Sequence, residues 1–150
     1  VYNNNKYTMI MKGDDVDKKQ WFRIQLVGES TLAEGPFKFE KEPVYDKAQT
    51  EDACMWFDQE LKLYFMVCHV MGKRDLALFY SDNAKDWEPH ERSVFMKKEV
   101  LLEDGTLWKP ERVERPYVLT DDTGKPTMLF VAIADQGVNG NIAIPIYYGE

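Results

Sequence analysis

The 150-residue sequence predicts an all-β fold, built from the antiparallel four-stranded blades of a β-propeller. The first observation is a repeat, because residues 51–67 align without a gap with residues 114–130, at an offset of 63. The second is a partial copy at the start of the chain, where Lys6–Met11 aligns with Leu63–Cys68 at an offset of 57. The third is the near absence of helical periodicity. Strand-rich repeats of this length are typical of propeller blades.

Each predicted strand is a short run of apolar residues that ends at a turn signal. The runs, in chain order, are 7–11, 21–27, 54–57, 63–70, 76–80, 117–119, 127–133 and 142–148. Polar or glycine-containing clusters typical of tight turns separate them, among them Gly13–Asp15, Glu34–Pro36, Asp121–Gly124 and Gly137–Gly140. Strands at this spacing, joined by tight turns, favour antiparallel sheets.

The register of the repeats predicts a partial propeller domain. The first copy would begin upstream of Val1, so the chain starts partway through a blade. We therefore expect one domain with blades at about 1–45, 46–110 and 111–150, truncated at its N-terminus. An incomplete ring exposes apolar blade faces and strand edges. We expect the missing N-terminal blades of the same protein to be needed for a soluble monomer.

The composition excludes two classes of partner. The net charge is −7 and the isoelectric point is near 4.9, which leaves no basic stripe for nucleic acid. No apolar run approaches the length of a membrane span. Cys54 and Cys68 lie in apolar runs on either side of a turn, where free buried thiols are favoured over a strained cross-strand disulfide. Two cysteines with His69 fall short of a zinc ligand set.

Acidic residues recur at the start of the predicted inner strand, as Glu51-Asp52 and then as Glu114. Inner strands line the central shaft of a propeller, so these carboxylates are expected to converge at one mouth. Glycoside hydrolysis needs two carboxyl groups that flank the scissile bond. Alternation along a strand lets only one of Glu51 and Asp52 face the shaft. A strand-start Glu that holds neighbouring blades together is the structural alternative.

Further candidates for substrate contacts surround these acids. Arg115 is expected to bind hydroxyl groups or to moderate repulsion between the carboxylates. His69 ends a hairpin strand, where it is either a ligand contact or a satisfied core residue. Trp56 and Trp108 are candidates for stacking on a sugar ring, with the apolar core as the alternative. The segment Val94–Lys109, which holds Trp108, is either a functional loop or a solvated hairpin extension.

Several motifs resemble one group of enzymes. Glu51–Trp56 (EDACMW) looks like the E-D-P-hydrophobic-hydrophobic-W opening of a blade in the propeller glycoside hydrolases of families 43 and 117. Val113–Pro116, followed by Gly124–Thr127, is similar to their E-R-P … G-K-P-T blade. Ser81–Trp87 resembles their S-D-D-G-x-x-W turn, and Ser30–Phe37 resembles their T-G-P-F turn. The resemblance covers nearly all of the chain.

The resemblance implies a five-bladed propeller that cleaves plant or algal oligosaccharides or polysaccharides with inversion. Asp52 matches the acid that tunes the proton donor, and Glu114 matches the proton donor of a later blade. The general base would precede Val1. Some relatives carry a His immediately before this Glu and use it as the acid, whereas this chain has Val113. Either Glu114 takes the acid role, or this member works differently, or it has lost activity. The group also implies no required cofactor and a secreted or periplasmic location.

The sequence leaves two other functions open. A phosphorylase needs basic residues that hold phosphate, and Arg115 is the one basic candidate in the predicted pit. A carbohydrate-binding or scaffolding propeller without activity predicts that Asp52 and Glu114 are salt-bridged or bind a structural ion. Calcium is the ion that suits an oxygen-rich lining.

Overall fold

The computed structural model describes residues 1–73 and 75–148. Within those residues the chain forms thirteen strands and no helix, so the described part contains no helix able to cross a membrane. The first sheet contains, in spatial order, β1 (Tyr2–Asn3), β2 (Lys6–Asp14), β3 (Arg23–Ser30) and β4 (Lys38–Phe39). The second contains β5 (Thr50–Asp58), β6 (Leu63–Val70), β7 (Asp75–Ser81) and β8 (Glu88–Lys97). A short hairpin of β9 (Val100–Leu101) and β10 (Leu107–Trp108) follows. The third sheet contains β11 (Arg112–Thr120), β12 (Pro126–Asp135) and β13 (Val138–Pro145).

All three sheets are antiparallel meanders, which confirms the predicted all-β blades of a propeller. The offset of 63 residues is reproduced in the backbone, since the hairpins β5–β6 and β11–β12 occupy equivalent positions. Asp58 and Asp121 also match in role, because one carboxylate oxygen of each accepts backbone N–H groups within the following turn. Short acidic side chains favour turns for this reason.

Two apolar cores lie between consecutive sheets. Successive side chains of a strand point to opposite faces, so β6 contributes to both cores. Met66 and Cys68 pack toward the first sheet, together with Val27. Phe65 and Val67 pack toward the third sheet, together with Val113, Val118 and Leu129. The second sheet is therefore covered on both faces, which explains why β6 is almost entirely apolar and buried.

The turn between β11 and β12 docks directly on the second sheet. The backbone N–H of Gln59 donates to the carbonyl of Thr123 at 2.8 Å, and the Gln59 side chain donates to the carbonyl of Asp122 at 2.8 Å. Gly124 has a φ of +86°, and a Cβ there would collide with the carbonyl oxygen of Phe57. Glycine is thus required for the backbone conformation and for the close approach of the two sheets.

The predicted boundaries are wrong at the C-terminal strand. The sequence predicted a turn at Gly137–Gly140 and a strand at 142–148. In the structure, Asp135 pairs with Val138, so the turn consists of Gln136 and Gly137 alone, both with positive φ. Gly140 lies inside β13, opposite Ile133. A two-residue turn of this kind needs positive φ at both positions, and the second glycine was mistaken for part of it.

The cysteines are free thiols, as predicted, but they lie on opposite faces of the second sheet. A β-bulge shifts the register of β5 so that Cys54 pairs with Val67. Cys54 therefore points toward the third sheet and accepts a hydrogen bond from the backbone N–H of Val118 at 3.3 Å. Cys68 is fully buried toward the first sheet, whereas Cys54 is half-buried.

The outward faces of the first and third sheets expose apolar side chains. On the third sheet, Tyr117, Leu119 and Phe130 are exposed on the face opposite the core. On the first sheet, Met9 and Met11 are exposed in the same way. Exposed apolar rows of this kind mark surfaces that pack against another element.

Candidate functional site

The predicted carboxylates lie where β5 and β11 begin and where β2 and β6 end. Glu51 pairs with His69 across the β5–β6 ladder. Lys12, near the end of β2, occupies the repeat position equivalent to His69, at the offset of 57. Strand starts and strand ends therefore bring charged side chains from all three sheets to one mouth.

Equivalent β-bulges shape this mouth. The ladder of β5 shifts register between Glu51 and Cys54, and that of β11 shifts between Glu114 and Tyr117. Asp52 and Arg115 occupy the bulges with φ values of 56° and 52°. A bulge adds a residue to one strand and redirects its side chains. Both carboxylates approach Lys12, so the prediction that only one of Glu51 and Asp52 reaches the mouth is wrong. The bulge is the cause, because it interrupts the regular alternation of side chains along β5.

The Glu51 carboxylate is surrounded by cationic and imidazole groups. Its Oε2 accepts a hydrogen bond from Arg23 at 2.7 Å and lies 3.6 Å from Lys12 Nζ. Its Oε1 lies 3.6 Å from Nδ1 of His69. Glu51 thus joins β2 and β3 of the first sheet to the second sheet through side-chain charge.

Asp52 connects all three sheets. Its Oδ1 accepts a hydrogen bond from Lys12 of the first sheet at 2.9 Å. Its Oδ2 lies 4.0 Å from Nε of Arg115, on the third sheet. The Asp52 side chain is 17% exposed, whereas that of Arg115 is 71% exposed. A partly buried carboxylate therefore sits beside a guanidinium that is open to solvent.

Glu114 is held by its own strand. Arg112 donates two hydrogen bonds to its carboxylate, at 3.0 Å and 2.7 Å. Glu114 and Arg115 both line an open cleft of about 390 Å³ over the β11–β12–β13 sheet, with Asn139 and Asn141 on the opposite side. A two-pronged guanidinium contact of this kind suits the ionised carboxylate. Val113 points the other way and is fully buried in the core between the second and third sheets.

His69 is nearly buried at the base of the mouth. Its Nε2 lies 3.3 Å from Nζ of Lys98, which follows β8. Its Nδ1 is buried and has no hydrogen-bond partner among the described residues. His69 is therefore a buried residue with one ring nitrogen left without a hydrogen-bond partner in the described part of the chain.

The two tryptophan candidates lie differently. Trp56 is 6% exposed and packs in the core between the second and third sheets, where its ring stacks on Phe65. Its ring offers no free face to a sugar. Trp108, on β10, is half-buried, and its indole N–H donates to Asp135 at 2.7 Å. Asp135 ends β12, beside the start of β11, so Trp108 lies at the edge of the cleft rather than across it.

Sequence reasoning did not find four basic residues of the mouth, which are Lys12, Arg23, Lys98 and Arg112. Lys12 was recognisable in principle, because it occupies the repeat position equivalent to His69. Arg23 reaches Glu51, and Lys98 reaches His69, through contacts between separate parts of the chain, which leave no local sequence signal. Among the residues that the structure describes, no group of three or more His, Cys, Asp or Glu side chains is arranged to hold a metal ion.

Comparison with known structures supports the fold. A protein of Parabacteroides distasonis, assigned provisionally as a glycoside hydrolase, matches with a TM-score of 0.59 and 14% identity, over 95% of this chain and 48% of that one. A second structure, from the GH130 family of mannoside phosphorylases, matches with a TM-score of 0.51 and 18% identity, over 98% of this chain and 47% of that one. That family contains glycoside hydrolases that target β-1,2 mannosidic linkages in Candida mannan.

The chain thus has a glycoside-hydrolase-like fold and spans about half the length of these two structures. Comparisons with protein-family models and with curated proteins found no match.

Proposed function

We propose that this chain forms part of the active site of an enzyme that cleaves glycosidic bonds, with Asp52 and Glu114 as two of its carboxylates. The proposed reaction is hydrolysis of plant or algal oligosaccharides or polysaccharides with inversion, as in families 43 and 117. The general base then lies on a part of the protein outside these residues. A secreted or periplasmic location belongs to the same proposal.

The position of Asp52 carries the proposal. Among residues 1–73 and 75–148, it is the one carboxylate with charged contacts from both neighbouring sheets, and a left-handed backbone holds it there. Left-handed φ values in residues other than glycine cost free energy and concentrate at functional sites. The same conformation recurs at Arg115, so two repeats direct charged side chains toward one place.

Glu114 needs one change before it can donate a proton. In this structure Arg112 pairs with it through two hydrogen bonds, which favours the ionised carboxylate. Arg112 is mostly exposed, so a bound substrate could displace it at little cost. We propose that the leaving oxygen of the substrate replaces Arg112 as the partner of a protonated Glu114.

The test is hydrolysis by the full-length protein and by its Glu114→Gln variant, on aryl glycosides and on algal or plant oligosaccharides. Turnover in the parent that falls by about 100-fold or more in the variant, with sugar binding retained, supports the acid role. Proton NMR of the first product distinguishes inversion from retention. Equal turnover in parent and variant would contradict the role of Glu114.

A second candidate reaction is phosphorolysis, in which phosphate replaces water as the attacking group. The sequence offered Arg115 alone as a phosphate ligand, whereas the structure adds Lys12, Arg23 and Arg112 beside the carboxylates and Lys98 beside His69. Guanidinium and ammonium groups are the side chains that bind phosphate. Phosphate-dependent release of a sugar 1-phosphate would favour this reaction, and turnover unaffected by phosphate would favour hydrolysis.

The binding or scaffolding alternative also has an observation in its favour. It predicted that Asp52 and Glu114 are salt-bridged, and they pair with Lys12 and Arg112. Sugar binding without turnover by the parent protein, unchanged in Glu114→Gln, would support this alternative.

A further inference from the structure

We infer that Lys98 is a positioning residue for the carboxylate cluster, and that it acts through the His69 imidazole on Glu51. The inference rests on the proposed function, because it assigns a role within the same site. Lys98 lies between β8 and β9, at the start of the long segment that connects the second and third sheets.

The contact between Lys98 and His69 determines which ring nitrogen carries the proton. Nζ of Lys98 lies 3.3 Å from Nε2 of His69. An ammonium group has three donors and no acceptor, so Nε2 must be the acceptor in this contact. A neutral imidazole that accepts at Nε2 carries its proton at Nδ1. Lys98 therefore selects the Nδ1–H form of His69.

The Nδ1–H group then faces Glu51. Nδ1 lies 3.6 Å from Oε1 of Glu51, just beyond hydrogen-bond distance. It is buried and has no other partner in the described part of the chain, and the His69 side chain is 8% exposed. A buried donor without a partner is unfavourable, and a shift of a few tenths of an ångström would give it a charged acceptor. Hydrogen bonds in active sites often tighten in this way when substrate binds.

The orientation of the Glu51 carboxylate affects Asp52 through Lys12. Arg23 holds Oε2 of Glu51 on one side, and His69 faces Oε1 on the other. Lys12 lies between the two acids, 3.6 Å from Glu51 and 2.9 Å from Asp52. The orientation of Glu51 therefore influences where Lys12 sits, and Lys12 is the hydrogen-bond donor of Asp52. Lys98 and His69 act through Glu51 and need not touch the substrate.

The first experiment measures the protonation site of His69 by nitrogen-15 NMR, which does not depend on any enzymatic activity. In the full-length protein we expect Nδ1 to show the shift of a protonated nitrogen and Nε2 that of an acceptor. In Lys98→Met we expect the proton to move to Nε2, and in Lys98→Arg we expect the parent pattern. Lys97→Met, at the exposed end of β8, is the matched control and should leave the pattern unchanged.

The second experiment measures steady-state kinetics on whichever glycoside the parent cleaves. We expect Lys98→Met to lower kcat by about 10- to 100-fold, with KM changed less than about two-fold. Lys98→Arg should restore most of kcat. His69→Asn, whose amide can replace Nδ1–H as the donor to Glu51, should retain more activity than His69→Gln.

The outcomes separate the inference from the proposed function. A parent protein with its proton on Nε2, or a Lys98→Met variant with the parent NMR pattern, would overturn the inference whatever the activity. A parent with the expected NMR pattern but no turnover on any glycoside would leave the Lys98–His69 contact standing and overturn the proposed function. Loss of stability in Lys98→Met without loss of kcat would also overturn the positioning role.

Discussion

Asp52 and Arg115 lie 63 residues apart in the chain, share a left-handed backbone conformation, and bring their side chains to within 4.0 Å. Each occupies the bulge at the start of the inner strand of its sheet. The repeat has therefore kept a strained conformation at one position while changing the charge of the side chain, so that an anion on one blade faces a cation on the next.

The strain at Arg115 predicts an unusual order of stability between two variants. Arg115→Gly and Arg115→Ala both remove the guanidinium. A left-handed φ costs an L-residue about 1–2 kcal/mol, whereas glycine adopts it freely. After the greater unfolded-state freedom of glycine is subtracted, we expect Arg115→Gly to be the more stable of the two by about 0.5–1 kcal/mol. Urea unfolding of the full-length protein measures the difference.

The same pair of substitutions at Arg112, which has no positive φ in the structure, is the control. There we expect the reverse order, because glycine inside a strand is about 0.5–1 kcal/mol less favourable than alanine. An alanine variant that is the more stable at both positions would show that the Arg115 backbone carries no strain.

The turn that joins the third sheet to the second predicts a large effect at Gly124. A Cβ at this position collides with the backbone of Phe57, and the positive φ adds its own cost. We expect Gly124→Ala to destabilise the protein by about 2–4 kcal/mol. Gly105→Ala is the matched control, because its φ is +84° but its Cβ would meet nothing within 4 Å. That variant should lose only about 1 kcal/mol. Thermal unfolding distinguishes them, and equal losses would mean that the turn does not dock as described.

The ion pairs between Glu29, Glu40 and Lys85 predict how stability depends on acid. Burial raises the pKa of Glu29, but hydrogen bonds from Lys85 and Lys6 outweigh this and leave the pKa below its ordinary value of 4.5. A lowered folded-state pKa adds stability above the unfolded value, and that stability is lost as the pH falls through the folded pKa. The unfolding free energy should therefore decrease below about pH 4.5, by less than about 1 kcal/mol for this partly exposed pair.

Lys85→Met should weaken this acid dependence, and Lys41→Met, at an exposed position, should not. Hydrogen bonds to Glu40 and Glu29 raise the pKa of Lys85 itself. Its contribution is therefore present below the ordinary lysine pKa and lost as the pH rises through the raised value. Urea unfolding midpoints measured at several pH values between 3 and 6 test the predicted loss of stability in acid. An unchanged slope in Lys85→Met would assign the acid dependence to other carboxylates.

The contacts of Asp52 predict the effect of neutralising it. Asp52→Asn keeps the shape of the side chain but removes the charge that faces Lys12 and Arg115. Under the proposed function we expect kcat to fall by about 100-fold or more, with little change in thermal stability. Asp46→Asn, at an exposed position, is the control. A fully active Asp52→Asn variant would restrict Asp52 to a structural role.

The apolar runs and their repeat were sufficient to predict much of the fold. The predicted run 63–70 coincides with β6, and 76–80 lies inside β7, because neither strand has an exposed residue and both read as continuous apolar segments. β8 has no such run, since its side chains are mostly exposed. The four-stranded repeat predicted that an outer strand exists here, but it did not predict where β8 begins and ends.

The candidate site was predictable only in part. Repetition singled out Glu51 and Glu114, because they occupy the same position in two copies, and Asp52 was singled out as the neighbour of Glu51. The bulges did not show in the sequence, since neither contains a glycine that would mark a left-handed residue. Arg23 and Lys98 could not be predicted either, because their contacts depend on how separate strands pack. Trp56 lacked any pattern that would separate a core indole from an exposed one.

The two cysteines lie at different junctions between sheets, so their accessibility shows which junction opens during unfolding. Burial raises the pKa of the Cys68 thiol to about 12 and also raises that of Cys54, so neither forms a reactive thiolate at neutral pH while the blades are packed. Cys68 becomes accessible when the first sheet separates from the second, and Cys54 when the third sheet separates from the second. The order in which the two thiols are alkylated in rising denaturant therefore shows which junction opens first, without any introduced label.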